Sequence, residues 1–272
     1  MNTGRLDFTG KTAVLSGAGS GIGRALAIQL ADRGCALALI DIREGTLAET
    51  VAALKPGTRV SMHVLDVASR EAVSALPAQV LEQHPAVDLL FNNAGVAVAG
   101  AFTETAEADF DWLFEINFHS LVRMTRAFLP HLLTRPEAHI VNTGSIFSIV
   151  APAGQTHYAA SKFAVRGFSD ALRHELENTR VGVSVACPGG VATAIANNAR
   201  FSGGYSRDEV NGRLAKANRM LRLPPENAAR VILEGVERRK PRIVVGSDAK
   251  IVYAAERLLP IRYWNLIRSL VS

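Results

Sequence analysis

A chain of 272 residues that is 48 % apolar and 20 % charged, with a mean hydropathy of +0.14, can bury the core of one large α/β domain and is not a disordered polymer. Its net charge of +5 is local: Arg238 to Ser272 hold eight Lys or Arg against two Asp or Glu, a net of +6, so the rest of the chain stands at −1 and nucleic-acid binding is not expected of it. Met1 to Asp7 show no apolar signal core, no apolar run reaches the roughly 18 residues of a membrane span, and Cys35 and Cys187 adjoin apolar runs as buried free thiols, so a reducing cytoplasm is expected.

In chain order, Thr12 to Ser16 reads as a strand, Gly21 to Arg33 as a helix closed by Gly34, and Cys35 to Ile40 as a second strand. Arg59 to Leu65, Val87 to Phe91 and Ala138 to Thr143 read as strands three to five, with helical stretches between them. His157 to Thr179 reads as a long helix, Val181 to Ala186 as strand six, Asn227 to Arg238 as a helix and Arg242 to Val245 as strand seven. Near-continuous apolar strands alternating with helices predict a single doubly wound domain: a seven-stranded parallel sheet covered by helices on both faces.

The turn between the first strand and helix is Gly17-Ala-Gly-Ser20-Gly21-Ile22-Gly23. Strand, glycine turn and helix in that order form the context for a dinucleotide site, with a tight turn at Gly17, backbone approach to a pyrophosphate at Gly21 and close helix packing at Gly23. The helix start then offers free N–H groups to phosphate. Asp41, at the end of strand two, suits a ribose 2′-hydroxyl and repels a 2′-phosphate, and Ser20 keeps basic residues out of the turn. NAD is favoured over NADP, although Arg43 lies close by. Asp66-Val67 follow strand three, where an adenine edge could bind, and Asn92-Asn93-Ala94-Gly95 follow strand four, where Asn side chains bridge neighbouring backbones.

Tyr158 and Lys162 are four apart on the long helix, so they share a face. A neighbouring cation favours phenolate and lowers the tyrosine pKa, which makes it able to exchange a proton with a substrate oxygen. His157 points about 100° away from Tyr158 on the helix, His174 sits among charges, and neither has metal-ligand spacing, so no metal is expected.

Over residues 8 to 246 the chain resembles the short-chain dehydrogenase/reductases. The resemblance is carried by Gly17-x-x-x-Gly21-x-Gly23, Asp66, Asn92-Asn-Ala-Gly95, Asn117, Ser145, Tyr158-x-x-x-Lys162 and Pro188-Gly189, with Ser16 where the family usually has threonine. It implies that Tyr158 is the general acid/base, that Lys162 holds the nicotinamide ribose and lowers the tyrosine pKa, that Ser145 orients the carbonyl, and that Asn117 helps hold a water for a proton relay. It also implies that Pro188, Gly189, the Val191 backbone and the Thr193 hydroxyl lie beside the nicotinamide, and that the pro-S hydride moves. Donors waiting where negative charge develops suit hydride transfer between a nicotinamide and a secondary alcohol or ketone. The alternatives are an idle cofactor-binding sensor or subunit, which need not keep all four catalytic residues, and an enoyl reducer, which in this family usually spaces tyrosine and lysine by seven.

Ala194 to Leu223 shows no strong strand or helix and falls where the family keeps its substrate lid. Phe201 and Tyr205 there, with Ile146 and Phe147 and with Ala97 to Ala99 opposite, predict mainly apolar walls and a hydrophobic substrate. Residues 247–272 extend past the usual family end. Ile251, Val252, Ala255, Leu258 and Leu259 form a helical stripe before Pro260, and Tyr263 and Trp264 stand among basic residues. Packing on a partner subunit of a homodimer or homotetramer, or over the cleft, is preferred to peripheral contact with an anionic membrane surface.

Overall fold

The computed structural model describes residues 4–201 and 206–265; Tyr205 and residues 266–272 of the tail lie outside them. β1 (Thr12–Ser16) is followed by α1 (Gly21–Asp32), β2 (Ala36–Asp41), α2 (Glu44–Ala52), β3 (Val60–Val64), α3 (Arg70–Gln83), β4 (Leu89–Asn92) and a short β5 (Val98–Ala99). Next come α4 (Glu107–Phe114), a π turn (Glu115–His119), α5 (Ser120–Leu133), β6 (Ala138–Thr143), a 3-10 turn (Ile146–Ser148), α6 (Thr156–Glu175) and β7 (Val181–Pro188). β8 (Arg200–Phe201), α7 (Arg207–Met220), α8 (Pro225–Glu237), β9 (Arg242–Val245) and α9 (Ser247–Leu258) complete the described chain.

Seven strands pair, all in parallel, in the order β3-β2-β1-β4-β6-β7-β9. This is the doubly wound sheet that the alternation predicts. Successive strand residues point to opposite faces, so each strand feeds two cores. Ala13, Leu15, Leu37 and Leu39 meet Leu26 and Leu30 of α1 and Ile232, Leu233 and Val236 of α8. Val14, Ala38, Ile40 and Ile140 meet Leu76 and Val80 of α3 and Met124, Phe128 and Leu132 of α5. Chain order reverses between β1 and β4, and in such sheets ligands enter at the carboxyl ends of the strands beside that reversal. Ser16, Asp41, Asn92 and Thr143 all end strands there. Cys35 and Cys187 are buried free thiols. Among the described residues no helix is long and apolar enough to cross a membrane.

Several boundaries move for physical reasons. The helix expected from Asn227 starts two residues earlier because Pro225 occupies its first turn, where a missing N–H costs nothing. α6 stops at Glu175; the residues expected to carry it to Thr179 tighten instead into turns, with Glu177 N bonded to His174 O and Thr179 N to Leu176 O. The largest departure is the lid, expected without regular structure but containing α7. A Ser206–Glu209 capping box starts that helix, and its apolar stripe is thin: Val210, Leu214 and Ala217, at i, i+4 and i+7, are half-buried and the rest is exposed. β8 pairs in parallel with β5, Val98 opposite Arg200 and Ala99 opposite Phe201, which ties the stretch before α7 to the loop after β4.

Candidate active site

The glycine turn is shaped by close approach. Gly17 has φ of 66°. A Cβ on Gly23 would overlap the Gly17 carbonyl oxygen, so only glycine lets α1 start against the turn. Ser16 Oγ accepts from the amides of Asn93 (3.1 Å) and Ala94 (3.2 Å). Asn93 Nδ2 donates to the carbonyls of Ser16 and Gly17, both at 3.2 Å, which is the cross-loop bridge expected of this motif. The Asp41 carboxylate lies at the other side of the turn, taking the Gly19 amide at 2.9 Å and the Arg43 amide at 3.1 Å. Arg24, which the motif does not flag, holds the turn from below through Gly19 O at 2.7 Å.

The N-terminus of α1 has no side-chain cap and no acidic residue in its first turn, so its N–H groups and positive dipole end stay available to an anion. A cleft of about 410 Å³ opens in front of it, lined by Ser20, Gly21, Thr193, Asn197, Asn218 and Leu221 among others. Gly21 and Thr193 pack together at the edge of this cleft: a Cβ on Gly21 would stand 2.9 Å from Thr193 Cγ2. These features fit a dinucleotide. Val191 is buried and bridges to Leu223, and the cleft wall begins at the next residue, Ala192. Asp66 is exposed with one oxygen bonded to the Ala68 amide at 2.9 Å, while the Val67 side chain is in the core.

Beyond the turn, α6 carries Tyr158 and Lys162 to the ends of β4 and β6. Lys162 Nζ donates to Thr143 O at 3.0 Å and stands 5.6 Å from the Tyr158 ring centroid. A Cβ on Gly95 would lie 3.5 Å from that same ammonium and 3.2 Å from Asn117 Oδ1. Ser145 caps the 3-10 turn, with its Oγ accepting from the Phe147 amide at 3.1 Å, and its side chain lies beside the Tyr158 hydroxyl. The Phe147 ring meets that of Tyr158 edge-on at 6.1 Å. Asn117 is buried in the π turn and its side chain is spent: Oδ1 takes the Val96 amide at 2.8 Å, and Nδ2 donates to Val96 O at 3.0 Å and Ser161 Oγ at 3.1 Å. His157 is buried against Phe102 and Phe110, away from Tyr158.

Electrostatically the pair differs from the expectation of an activated tyrosine. Burial pushes Tyr158 up to about 12, opposed by its bond to Ser145, and pushes Lys162 down to about 8, opposed by the neighbouring Cys187. In the protein alone desolvation outweighs any pull of the ammonium on the phenol.

Sequence reasoning missed the polar seam behind this pair. Asn92 Nδ2 donates to Thr125 Oγ1 (3.0 Å) and Asn142 Oδ1 (2.9 Å), and Asn142 Nδ2 donates to Ser169 Oγ (2.9 Å), all of it buried. The available signal was polar residues at positions whose neighbours in strand and helix are apolar. Of the expected substrate walls, Ile146 and Phe147 line the tyrosine side, and β5–β8 pairing sets Phe201 beside Ala99.

The profile of the short chain dehydrogenase family matches residues 11–202. A Mycobacterium tuberculosis protein, SadH, provisionally named an oxidoreductase, is 40% identical over 268 residues, covering 97% of this chain and 96% of that one. The SDR family protein 7-like dehydrogenase/reductase of Drosophila melanogaster is 31% identical over 276 residues, 98% of this chain and 83% of its own. A short chain dehydrogenase/reductase from Burkholderia phymatum, solved in complex with NAD, superposes with a TM-score of 0.86 at 34% identity, covering 93% of this chain and 95% of that one.

Proposed function

This chain belongs to the short-chain dehydrogenase/reductase family of oxidoreductases, and from that premise we propose that it interconverts a secondary alcohol and its ketone at Tyr158, with Ser145 and Lys162 in support. The observation that carries the reading is the convergence of three side chains at the carboxyl ends of the strands: Lys162 Nζ on Thr143 O and 5.6 Å from the Tyr158 ring, with Ser145 beside the tyrosine hydroxyl. A nicotinamide dinucleotide, when bound, supplies the hydride acceptor or donor. Ser20, Gly21, Asn93 to Gly95, Pro188, Gly189, Val191 and Thr193 would hold it, with Asp41 at the ribose end and the uncapped start of α1 at the pyrophosphate. NAD is favoured because the only acid at the end of β2 meets the turn directly, where a 2′-phosphate would face its charge.

The residues divide the work by chemistry. A phenol raised to about 12 stays protonated at neutral pH, which suits it to donate its proton as an alkoxide forms. Ser145 orients the same oxygen through its hydroxyl. Lys162, with its ammonium anchored on Thr143 O, faces the ribose side. The side chain of Asn117 is committed to Val96 and Ser161, so its part is to hold the loop after β4 against α6. The apolar walls at Ile146, Phe147 and Phe201 favour a hydrophobic substrate. The reading takes the protein as a cytoplasmic homo-oligomer. Tyr263 and Trp264, partly buried against the cluster around Ile149 and Val150, favour packing over the cleft rather than a membrane.

The test follows nicotinamide absorbance with NAD and NADP over aliphatic, aromatic and steroid-like secondary alcohols. Tyr158→Phe is expected to abolish turnover and leave NAD binding largely intact. Retained turnover removes the assignment of the acid/base, and polyols outperforming hydrophobic alcohols removes that of the substrate.

A further inference from the structure

The segment after Val245 touches both loops that bound the reaction centre, at two separate points. At its start, Gly189 N bonds Val245 O at 2.9 Å, and Asp248 Oδ2 takes the Gly190 amide at 2.8 Å. The fit is close: a Cβ on Gly189 would overlap the Asp248 carboxylate. On its other side the same loop is held by Leu223, whose carbonyl takes the Ala192 amide at 2.8 Å. At the far end of the segment, the Tyr263 hydroxyl accepts the Ala151 amide at 3.1 Å. Tyr263 and Trp264 pack with Val252 and Tyr253 of α9 on the cluster that contains Ile146, Phe147, Ile149 and Val150. That stretch begins at Ser145. Between the two contacts α9 is a rigid spacer.

We propose that this extension is a two-point clamp in which Asp248 and Tyr263 are positioning residues, Asp248 setting the loop of Val191 and Thr193, and Tyr263 setting the loop of Ser145 and Phe147. The inference rests on the reading of these loops as the cofactor and substrate sides of one hydride-transfer site. Neither residue touches the reacting atoms. Each replaces freedom in a loop with one hydrogen bond made from outside, which is how a supporting group keeps a donor within the narrow tolerance that catalysis requires. A charge-assisted bond at Asp248 and a neutral one at Tyr263 predict the larger effect at Asp248.

The experiment compares Asp248→Ala, Asp248→Asn and Tyr263→Phe in the full chain by hydrogen exchange and by titration with whichever of NADH and NADPH binds the wild type more tightly. Asp248→Ala is expected to raise exchange in residues 188–193 and to weaken cofactor binding about tenfold, equivalent to about 1.4 kcal/mol. Residues 145–151 should stay protected in it. Asp248→Asn keeps an oxygen acceptor and should recover most of the binding. Tyr263→Phe keeps the ring and should loosen residues 145–151 alone, leaving cofactor affinity within about twofold of wild type. Unchanged exchange in the targeted loop, or both loops loosening together with the sheet in either variant, overturns the clamp. The exchange arm needs no ligand. It therefore decides the clamp even where wild type binds neither nucleotide or Tyr158→Phe retains turnover, the outcomes that would sink the reading of the site instead.

Discussion

Raising the pH should release the cofactor through Lys162 before it affects Tyr158. Lys162 is 3 % exposed, and burial takes its pKa from 10.5 to about 8. That shift amounts to roughly 3 kcal/mol favouring the neutral amine relative to water. About nine-tenths of the site carries the cation at pH 7, half near pH 8 and about one-tenth at pH 9. If the ammonium holds the nicotinamide ribose, affinity for NADH falls about tenfold between pH 7 and 9. Tyr158, at about 12, contributes no inflection in that window. Nor does unfolding through Lys162 mimic the loss. Between about pH 8 and 10.5 the unfolded chain still binds the proton that the folded chain has released, so this group's contribution to stability rises with pH while binding falls. NADH fluorescence titrations from pH 6 to 10 on wild type and Lys162→Met measure the effect, and the variant should bind weakly with a flat profile. A wild-type affinity that holds constant to pH 9.5 would refute the buried-cation argument.

Two further outcomes follow from groups away from the tyrosine. Arg200 lies 3.6 Å from the Trp112 ring centroid and 3.0 Å from Asp109, anchoring β8 on α4. At this half-exposed, solvent-screened position the two contacts together hold about 1 kcal/mol, so Arg200→Ala should speed exchange of the residue 200 amide about fivefold. An unchanged rate means that β5–β8 pairing alone holds β8. His139, buried with Nε2 2.8 Å from Ser184 Oγ, is depressed by desolvation from 6.5 to about 3. Its neutral form is the folded form, so its stabilising contribution is complete above pH 6.5 and is lost as pH falls towards 3. The loss is about 2 kcal/mol by pH 5. Urea unfolding at pH 7 and pH 5 should show that His139→Gln loses less than wild type by about that amount; equal losses would place the acid sensitivity elsewhere.

How much could be read in advance depended on whether a feature is local. Strand, glycine turn, helix and strand-end Asp41 are each written in a few adjacent residues, and a parallel sheet follows from apolar strands joined by helices, whereas its strand order does not. Tyr158 and Lys162 share a helix face by spacing alone. Desolvation is not local. The sequence shows a cation four residues from a phenol, but burial comes from β6, β7 and the 145–151 loop, and it moves both groups towards neutrality. α7 escaped because its stripe is only Val210, Leu214 and Ala217, with no buried residue among them. The tail's apolar stripe indicated a helix, but no pattern within it could say that Tyr263 would reach Ala151, more than a hundred positions earlier in the chain.

The seam of buried amides and hydroxyls behind the pair explains why that local motif becomes a defined geometry. Apolar packing between α6 and the sheet tolerates small slides, because one methyl contact substitutes for another. A one-residue slide moves a helix about 1.5 Å along its axis, enough to break a hydrogen bond. Ser161 on Asn117 and Ser169 on Asn142 fix α6 at two points, and Asn142 is fixed in turn to Asn92 and, through it, to Thr125 of α5. The net stability gained from such bonds is small, whereas any register that leaves one of these buried groups unpaired costs about 1–3 kcal/mol per group. The seam therefore acts by penalising the wrong registers. Only the right one brings Lys162 to Thr143 O and Tyr158 to Ser145 together.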